Sequence, residues 1–74
     1  MKLTNGEKNR IVDAFNAKRW KGYKVEIYSM SMFEENAKYG VNWAALGTVT
    51  IAQANKFIRQ LNEAIKIADK LNRS

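Results

Sequence analysis

Apolar residues recur at helical spacing over the last third of the chain. From Thr50 onward they fall three or four positions apart, the repeat of one face of an α-helix, at Ala54, Phe57, Leu61, Ala64, Ala68 and Leu71. Ile51, Ile58 and Ile65 widen this stripe on one side, as expected of a helix that faces a core. Thr50 and Gln53 have the spacing of a capping box. The pattern predicts a helix over about residues 51–71.

A second, shorter helix is expected near the start of the chain. Thr4 and Glu7 have capping-box spacing, and an apolar helical face follows at Ile11, Val12 and Phe15. The alternative is a hairpin turn at the Asn-Gly dipeptide of positions 5 and 6, which needs alternating apolar strands on both sides. Residues 7–10 are all polar and supply no such strand. The pattern therefore favours a helix over about residues 5–18.

Between the two helices the period changes to two, which is typical of β-strands. One side of the first alternation carries Tyr23, Val25 and Ile27, and the other carries Lys24, Glu26, Tyr28, Met30 and Met32. A polar connection at residues 34–38 follows. A second alternation follows. One side of it carries Tyr39, Val41, Trp43 and Ala45, and the other carries Gly40, Asn42, Ala44 and Leu46. Two antiparallel strands are the simplest solution, with room for a short third strand near residues 30–33.

The expected fold is a small α+β single domain over residues 1–74. Its order is helix, strand, strand (with the short third strand) and helix, the antiparallel hairpin packing on the long C-terminal amphipathic helix. That helix would be about 32 Å long, whereas a two-stranded hairpin is about 10 Å wide. The hairpin cannot cover the whole apolar stripe, so either the first helix or a second copy must cover the rest. A homodimer through the 51–71 helix is therefore one expectation.

Composition argues against catalysis. The chain has no Cys, His or Pro, so it lacks the thiolate and imidazole groups that act as nucleophiles, bases and metal ligands. Glu34 and Glu35 are the only adjacent acidic pair, and both are expected to be solvated in a polar loop. The four glycines are too widely spaced for a phosphate-binding loop. We expect no enzyme activity, no cofactor and no metal site.

The sequence shows no targeting or membrane signal. No apolar segment follows Lys2, as a secretory signal would require. No stretch approaches the roughly 18 continuous apolar residues of a membrane span. A cytoplasmic protein without membrane attachment is the expectation.

The net charge of +6 is unevenly distributed. The first 24 residues hold seven basic and two acidic side chains, whereas residues 25–50 hold one basic and three acidic ones. Cations and aromatic rings are interleaved within residues 18–24, at Lys18, Arg19, Trp20, Lys21, Tyr23 and Lys24. Cations bind phosphates and release counterions, while aromatic faces stack on unpaired bases. This segment predicts nucleic-acid contact. The alternative is that Trp20 and Tyr23 fill one end of the core beside solvated lysines.

Two further surfaces are candidates. A basic ridge lies opposite the apolar stripe of the last helix, at Lys56, Arg59, Lys66, Lys70 and Arg73, and can follow a phosphate backbone. A solvated face, with Glu63 paired to Arg59 and Lys66, is its alternative. The other surface is apolar and rich in methionine, which suits adaptable protein contacts: Tyr28, Met30, Met32 and Phe33. Cover by the first helix is the alternative for this face.

The last helix begins with the sequence TIAQANK. The order of elements in the chain is similar to that of double-stranded RNA-binding domains. That family carries a basic cluster at this helix start and a Gly-Pro-x-His loop, both missing here, so no residue role is transferred. The small size and Lys/Asn-rich helices resemble accessory proteins of low-GC bacteria and their phages. The leading expectation is a non-enzymatic nucleic-acid-binding accessory protein. The alternative is a phage-type inhibitor or adaptor that covers a host protein.

Overall fold

Two helices and a two-stranded sheet form the part of the fold that the structure describes. A computed structural model describes residues 2–18, 20–29, 39–45 and 47–74. The elements are α1 (Asn5–Asn16), β1 (Tyr23–Ser29), β2 (Tyr39–Ala45) and α2 (Ile51–Arg73). The strands pair antiparallel, with Val25 opposite Trp43 at the centre. The predicted α+β order of helix, hairpin and long C-terminal helix is confirmed. The expected third strand at residues 30–33 and the loop at residues 34–38 lie outside the described residues.

Both helices begin with the predicted capping boxes. The Glu7 backbone N–H donates to Thr4 Oγ1 (3.2 Å), and the Thr4 N–H donates to Glu7 Oε1 (3.1 Å). The same pair of bonds joins Thr50 and Gln53, at 3.1 and 2.8 Å. The Asn-Gly hairpin alternative is wrong, because both residues lie in the first turn of α1. Within the described residues, no helix combines the length and apolar character needed to cross a membrane.

The core lies between one face of the sheet and the two helices. Its largest fully buried side chains are Val25 and Ile27 of β1 and Leu71 of α2. Helix α2 packs on both strands, whereas α1 packs on β1. The small residues Ala64 and Ala68 are also buried, so the backbone of α2 lies close to the sheet. The alternating sides predicted for β1 therefore agree with the observed burial, whereas in β2 only Tyr39 is buried.

Helix α1 runs antiparallel to α2 and covers one flank of it. At one end, the Leu3 N–H donates to Ser74 Oγ at 2.7 Å. At the other end, Lys18 Nζ lies 3.3 Å from Glu63 Oε2. In place of the predicted pairing with basic side chains of its own helix, Glu63 pairs with Lys18, which follows the end of α1.

An asparagine side chain occupies each outer edge of the sheet. Asn16 donates to the carbonyl of Ile27 (2.8 Å) and accepts from its N–H (2.9 Å). Asn72 makes the same two bonds with Tyr39, at 3.0 and 2.6 Å. Each asparagine amide thus replaces one residue of a neighbouring strand. Ile27 and Tyr39 must therefore direct their backbone groups away from the partner strand.

The expectation that Ile51, Ile58 and Ile65 face the core is wrong. Their exposed fractions are 82%, 55% and 49%. A two-stranded sheet supports only one side of a long helix, and α1 covers only the flank that carries Glu63. The isoleucines lie on the opposite flank, beyond β2, where none of the described residues covers them fully. We call these three residues the isoleucine seam.

Candidate nucleic-acid interface

A groove forms where the turn between α1 and β1 crosses α2. Its volume is about 550 Å³, and its lining residues are Lys18, Trp20, Tyr23, Lys56, Arg59 and Gln60. The first three come from the basic aromatic segment and the last three from the basic side of α2. Two basic segments that are far apart in the sequence therefore share one concave surface.

Gly22 shapes the turn that carries the first half of the groove. Its φ angle of +83° is accessible to glycine at little cost. A Cβ atom at this position would lie 3.3 Å from Val49 Cγ1 and 3.5 Å from Gln53 Nε2. The turn is thus packed closely against the start of α2. This packing brings Trp20 and Tyr23 next to the side chains of Lys56 and Arg59.

Aromatic rings form one wall of the groove and connect it to the core. Trp20 lies between Phe15 and Tyr23, with ring centroids 5.9 and 5.4 Å apart. Tyr23 continues to Phe57 at 5.2 Å. Tyr23 is buried, whereas Trp20 is half-buried. Tyr23 therefore acts as a structural wall, and Trp20 is the groove aromatic with surface left for a ligand.

The three cations of the groove are not equivalent. Lys18 Nζ is held by Gln60 Oε1 at 3.1 Å and Glu63 Oε2 at 3.3 Å, and it lies 4.6 Å from the ring centre of Phe15. Lys56 and Arg59 are exposed and make no ion pair with any of the described residues. Their i,i+3 spacing puts both on the same side of α2. These two side chains are the ones available for an anionic ligand.

The other predicted basic residues lie away from the groove. Lys21 is exposed in the same turn but does not line the groove. Lys24 lies on the opposite face of the sheet, 3.7 Å from Glu26. Lys66 and Lys70 line a separate depression near the end of α2, together with Asp69 and Arg73. Arg19 lies outside the described residues.

The predicted protein-interaction face is described only at Tyr28. This side chain is 43% exposed and lies on the sheet face that is turned away from the helices. Its ring covers Gly40, where an added Cβ would lie 2.8 Å from the ring. Met30, Met32 and Phe33 lie outside the described residues.

Trp43 is a large exposed residue that is not among the predicted site residues. It is 56% exposed, although its ring contacts Phe57 at a centroid distance of 5.7 Å. The available signal was its place in the second of two predicted strands. A residue on such an edge strand is covered on one side only.

The part of the chain that the structure describes holds no group of three acidic side chains that could bind a metal ion. The chain matches no protein-family model, and comparisons with curated proteins and with solved structures find no significant relative. Function must therefore be inferred from the shape and charge of the surfaces described above.

Proposed function

We propose that this chain is a small, non-enzymatic, cytoplasmic accessory protein that binds nucleic acid through the groove. The observation that carries the proposal is the meeting of Lys18 and Trp20 with Lys56 and Arg59 in one concave surface. With Glu63 included, the local charge is three cations against one carboxylate. A polyanion is the ligand class that fits this excess of positive charge.

Each side chain has a distinct role in this proposal. Lys56 and Arg59 contact phosphate oxygens, because neither is bonded to another side chain among the described residues. Lys18 is held in place by Gln60 and Glu63 and adds positive charge at the rim. Trp20 offers its accessible surface to a base, and such stacking tolerates any base sequence.

The groove favours single strands over duplexes. A base can reach Trp20 only when it is not stacked and paired inside a double helix. A duplex would meet the exposed cations alone, without the aromatic contact. We therefore expect tighter binding to single-stranded DNA or RNA than to the corresponding duplex.

A second candidate function is that of an inhibitor or adaptor that covers a host protein. It is supported by the exposed Tyr28 on the sheet face turned away from the helices. This candidate becomes the leading one if the protein binds no nucleic acid.

The first test is binding to labelled single- and double-stranded DNA and RNA across a salt series. On single strands we expect the logarithm of the binding constant to fall linearly with the logarithm of salt concentration. The slope should be about −2, since neutralising two or three phosphates contributes about 0.7 each. Failure to bind any of the four nucleic acids at about 50 mM salt would contradict the proposal.

The second test follows the fluorescence of Trp20. The chain has two tryptophans, so the variant Trp43→Phe reports Trp20 alone. Single-stranded oligonucleotides should quench its emission, because a stacked base contacts the indole, whereas inorganic polyphosphate should leave it nearly unchanged. The matched control is Trp20→Phe, in which the remaining Trp43 should respond to neither ligand. Binding without quenching of Trp20 would show that phosphate contacts act without base stacking.

A further inference from the structure

Four large apolar side chains are exposed on the β2 side of the molecule. They are the three residues of the isoleucine seam and Trp43, which is 56% exposed. The seam residues are seven positions apart, so they follow one line along α2, as the positions of a two-helix seam do. The residues that border this line are polar and exposed, at Asn55 and Asn62. The flank is therefore apolar at its centre and polar at its border, the composition of a protein interface.

The seam is also nearly free of charge, although the protein carries a net charge of +6. The basic ridge of α2 lies on average about 100° around the helix from the seam, at about 100° per residue. Near the end of the seam, Asp69 and Arg73 neutralise each other at 3.1 Å. Two copies of this basic protein can therefore approach along the seam without bringing their ridges together.

Beside the seam, the outer edge of β2 has open backbone positions. Asn72 binds the N–H and carbonyl of Tyr39 from outside the sheet. Backbone groups alternate in direction along a strand, so those of Val41 and Trp43 also point outward. None of the described residues bonds to them from that side. An open strand edge readily accepts another strand.

We propose that the partner of this surface is a second copy of the same chain, joined through β2 and the isoleucine seam. The two β2 strands pair antiparallel about a two-fold axis at Asn42, which sets Val41 of one copy opposite Trp43 of the other. Both residues then exchange their outward N–H and carbonyl groups with the second copy. The result is a four-stranded sheet with β2 from each copy in the middle.

The expected spacing of the two α2 helices supports a second copy of the chain as the partner. Helix α2 packs on both strands, so its axis runs above the middle of the two-stranded sheet. Strands lie about 4.8 Å apart, which puts each α2 about 5 Å from the two-fold axis. The two α2 helices would then be about 10 Å apart, close to the 8–10 Å at which helices pack. Edge pairing thus brings the helices to packing distance without any further adjustment.

The register along α2 agrees as well. Trp43 lies level with Phe57 through their ring contact, and Tyr39 lies level with Asn72 through its hydrogen bonds. Asn42 is therefore level with the turn around residue 61. A two-fold axis at that level sets Ile58 of one copy opposite Ile65 of the other. An axis at Asn42 thus satisfies both the open strand edge and the apolar seam.

The exposed area is appropriate for a dimer. The seam and Trp43 together expose roughly 400 Å² of apolar surface in each copy. A stable interface buries about 800 Å² on each partner. The paired strand edges and the asparagines bordering the seam supply the remaining contact. The proposed dimer interface does not include the groove, so the dimer and nucleic-acid binding can be tested independently.

Sedimentation equilibrium tests the oligomeric state. We expect the wild-type protein to be dimeric at concentrations of roughly 10–100 µM. Ile58→Glu should be monomeric, because each interface would bury two uncompensated carboxylates. The control is Ala52→Glu, which adds the same charge to an exposed position of α2 away from the seam and should remain dimeric. Circular dichroism should show the same helix content in all three proteins.

A single cysteine tests the axis itself, since the chain contains none. In the proposed pairing the two copies of residue 42 face each other at a Cα distance of about 4.5 Å, which a disulfide can span. Mild oxidation of Asn42→Cys should therefore give a covalent dimer. Ala44→Cys is the matched control on the same strand face. Its two copies would be about 13 Å apart and should not become linked.

Three results would overturn the proposal. A wild-type monomer throughout the concentration range would exclude self-association and assign the seam to a different protein partner. A dimer that survives Ile58→Glu would lie on another surface. Equal cross-linking of Asn42→Cys and Ala44→Cys, or none of either, would exclude pairing about Asn42.

Discussion

The double variant Lys56→Glu, Arg59→Glu should bind single-stranded nucleic acid about 100-fold more weakly than the wild-type protein. A hydrogen bond to a charged group contributes roughly 1.5 kcal/mol or more, so each lost phosphate contact costs about tenfold in affinity. The salt slope should also become less steep, since fewer counterions are released. Fluorescence anisotropy at several salt concentrations measures both quantities. Both side chains are exposed, so the fold should be retained.

The matched control is the double variant Lys66→Glu, Lys70→Glu. It changes the net charge by the same amount, on the same helix, but in the depression at the other end of α2. Its affinity should fall only a few-fold, through the loss of general electrostatic attraction. If both double variants lose affinity equally, nucleic acid lies along the whole basic ridge and the groove is not the site.

Ile27→Ala should leave a large fraction of the protein unfolded at 25 °C. Ile27 is 1% exposed and is one of the three largest fully buried side chains. Removing such a side chain lowers the free energy of unfolding by about 2–5 kcal/mol. A core of this size supplies only about 3–5 kcal/mol in total. Urea denaturation at one fixed protein concentration, followed by circular dichroism, measures the loss.

Lys66→Ala is the control for this prediction, because it shortens an exposed side chain of α2 that lies outside the isoleucine seam. Its free energy of unfolding should differ from that of the wild-type protein by less than about 1 kcal/mol. If the two variants are equally stable, Ile27 is not part of a packed core.

Local patterns predicted the secondary structure well, because each element depends on nearby residues. The capping boxes at Thr4 and Thr50 determine both helix starts, and the alternation around Val25 determines the buried side of β1. Helix ends were less accurate. Helix α1 ends at Asn16, two residues before the predicted end, where its side chain bonds to Ile27. That long-range contact leaves no periodic signal in the sequence.

The sequence predicted the residues on each side of the groove, but it did not predict that the two sides meet. Interleaved charges and rings identified Lys18 and Trp20, and the polar side of the last helix identified Lys56 and Arg59. Their meeting depends on how the turn at Gly22 packs against α2, which is a tertiary property. A count of charges along the sequence does not show which cations share a surface. Strand alternation places the Lys24 side chain on the opposite face of the sheet, away from the groove.

The isoleucine seam shows a different limit. Periodicity identifies which helix positions are apolar, but it does not say how many neighbouring elements are available to cover them. Helical periodicity therefore predicted that Ile58 faces the core. Among the described residues, the neighbours of α2 are two strands and one short helix, and one apolar flank of α2 is exposed. The hairpin was expected to be too narrow to cover the whole apolar stripe. That width predicted an uncovered flank on α2, but it did not identify the residues that remain exposed.

The bonds from Asn16 to Ile27 have a consequence for solubility. A sheet that can add strands at both edges can grow without limit into fibrils. On this molecule an incoming strand at the β1 edge would have to displace the Asn16 amide from the backbone. In the proposed four-stranded dimer both outer edges are β1 edges, and an Asn16 amide is bonded to the backbone at each of them. These amides thus oppose the addition of further strands.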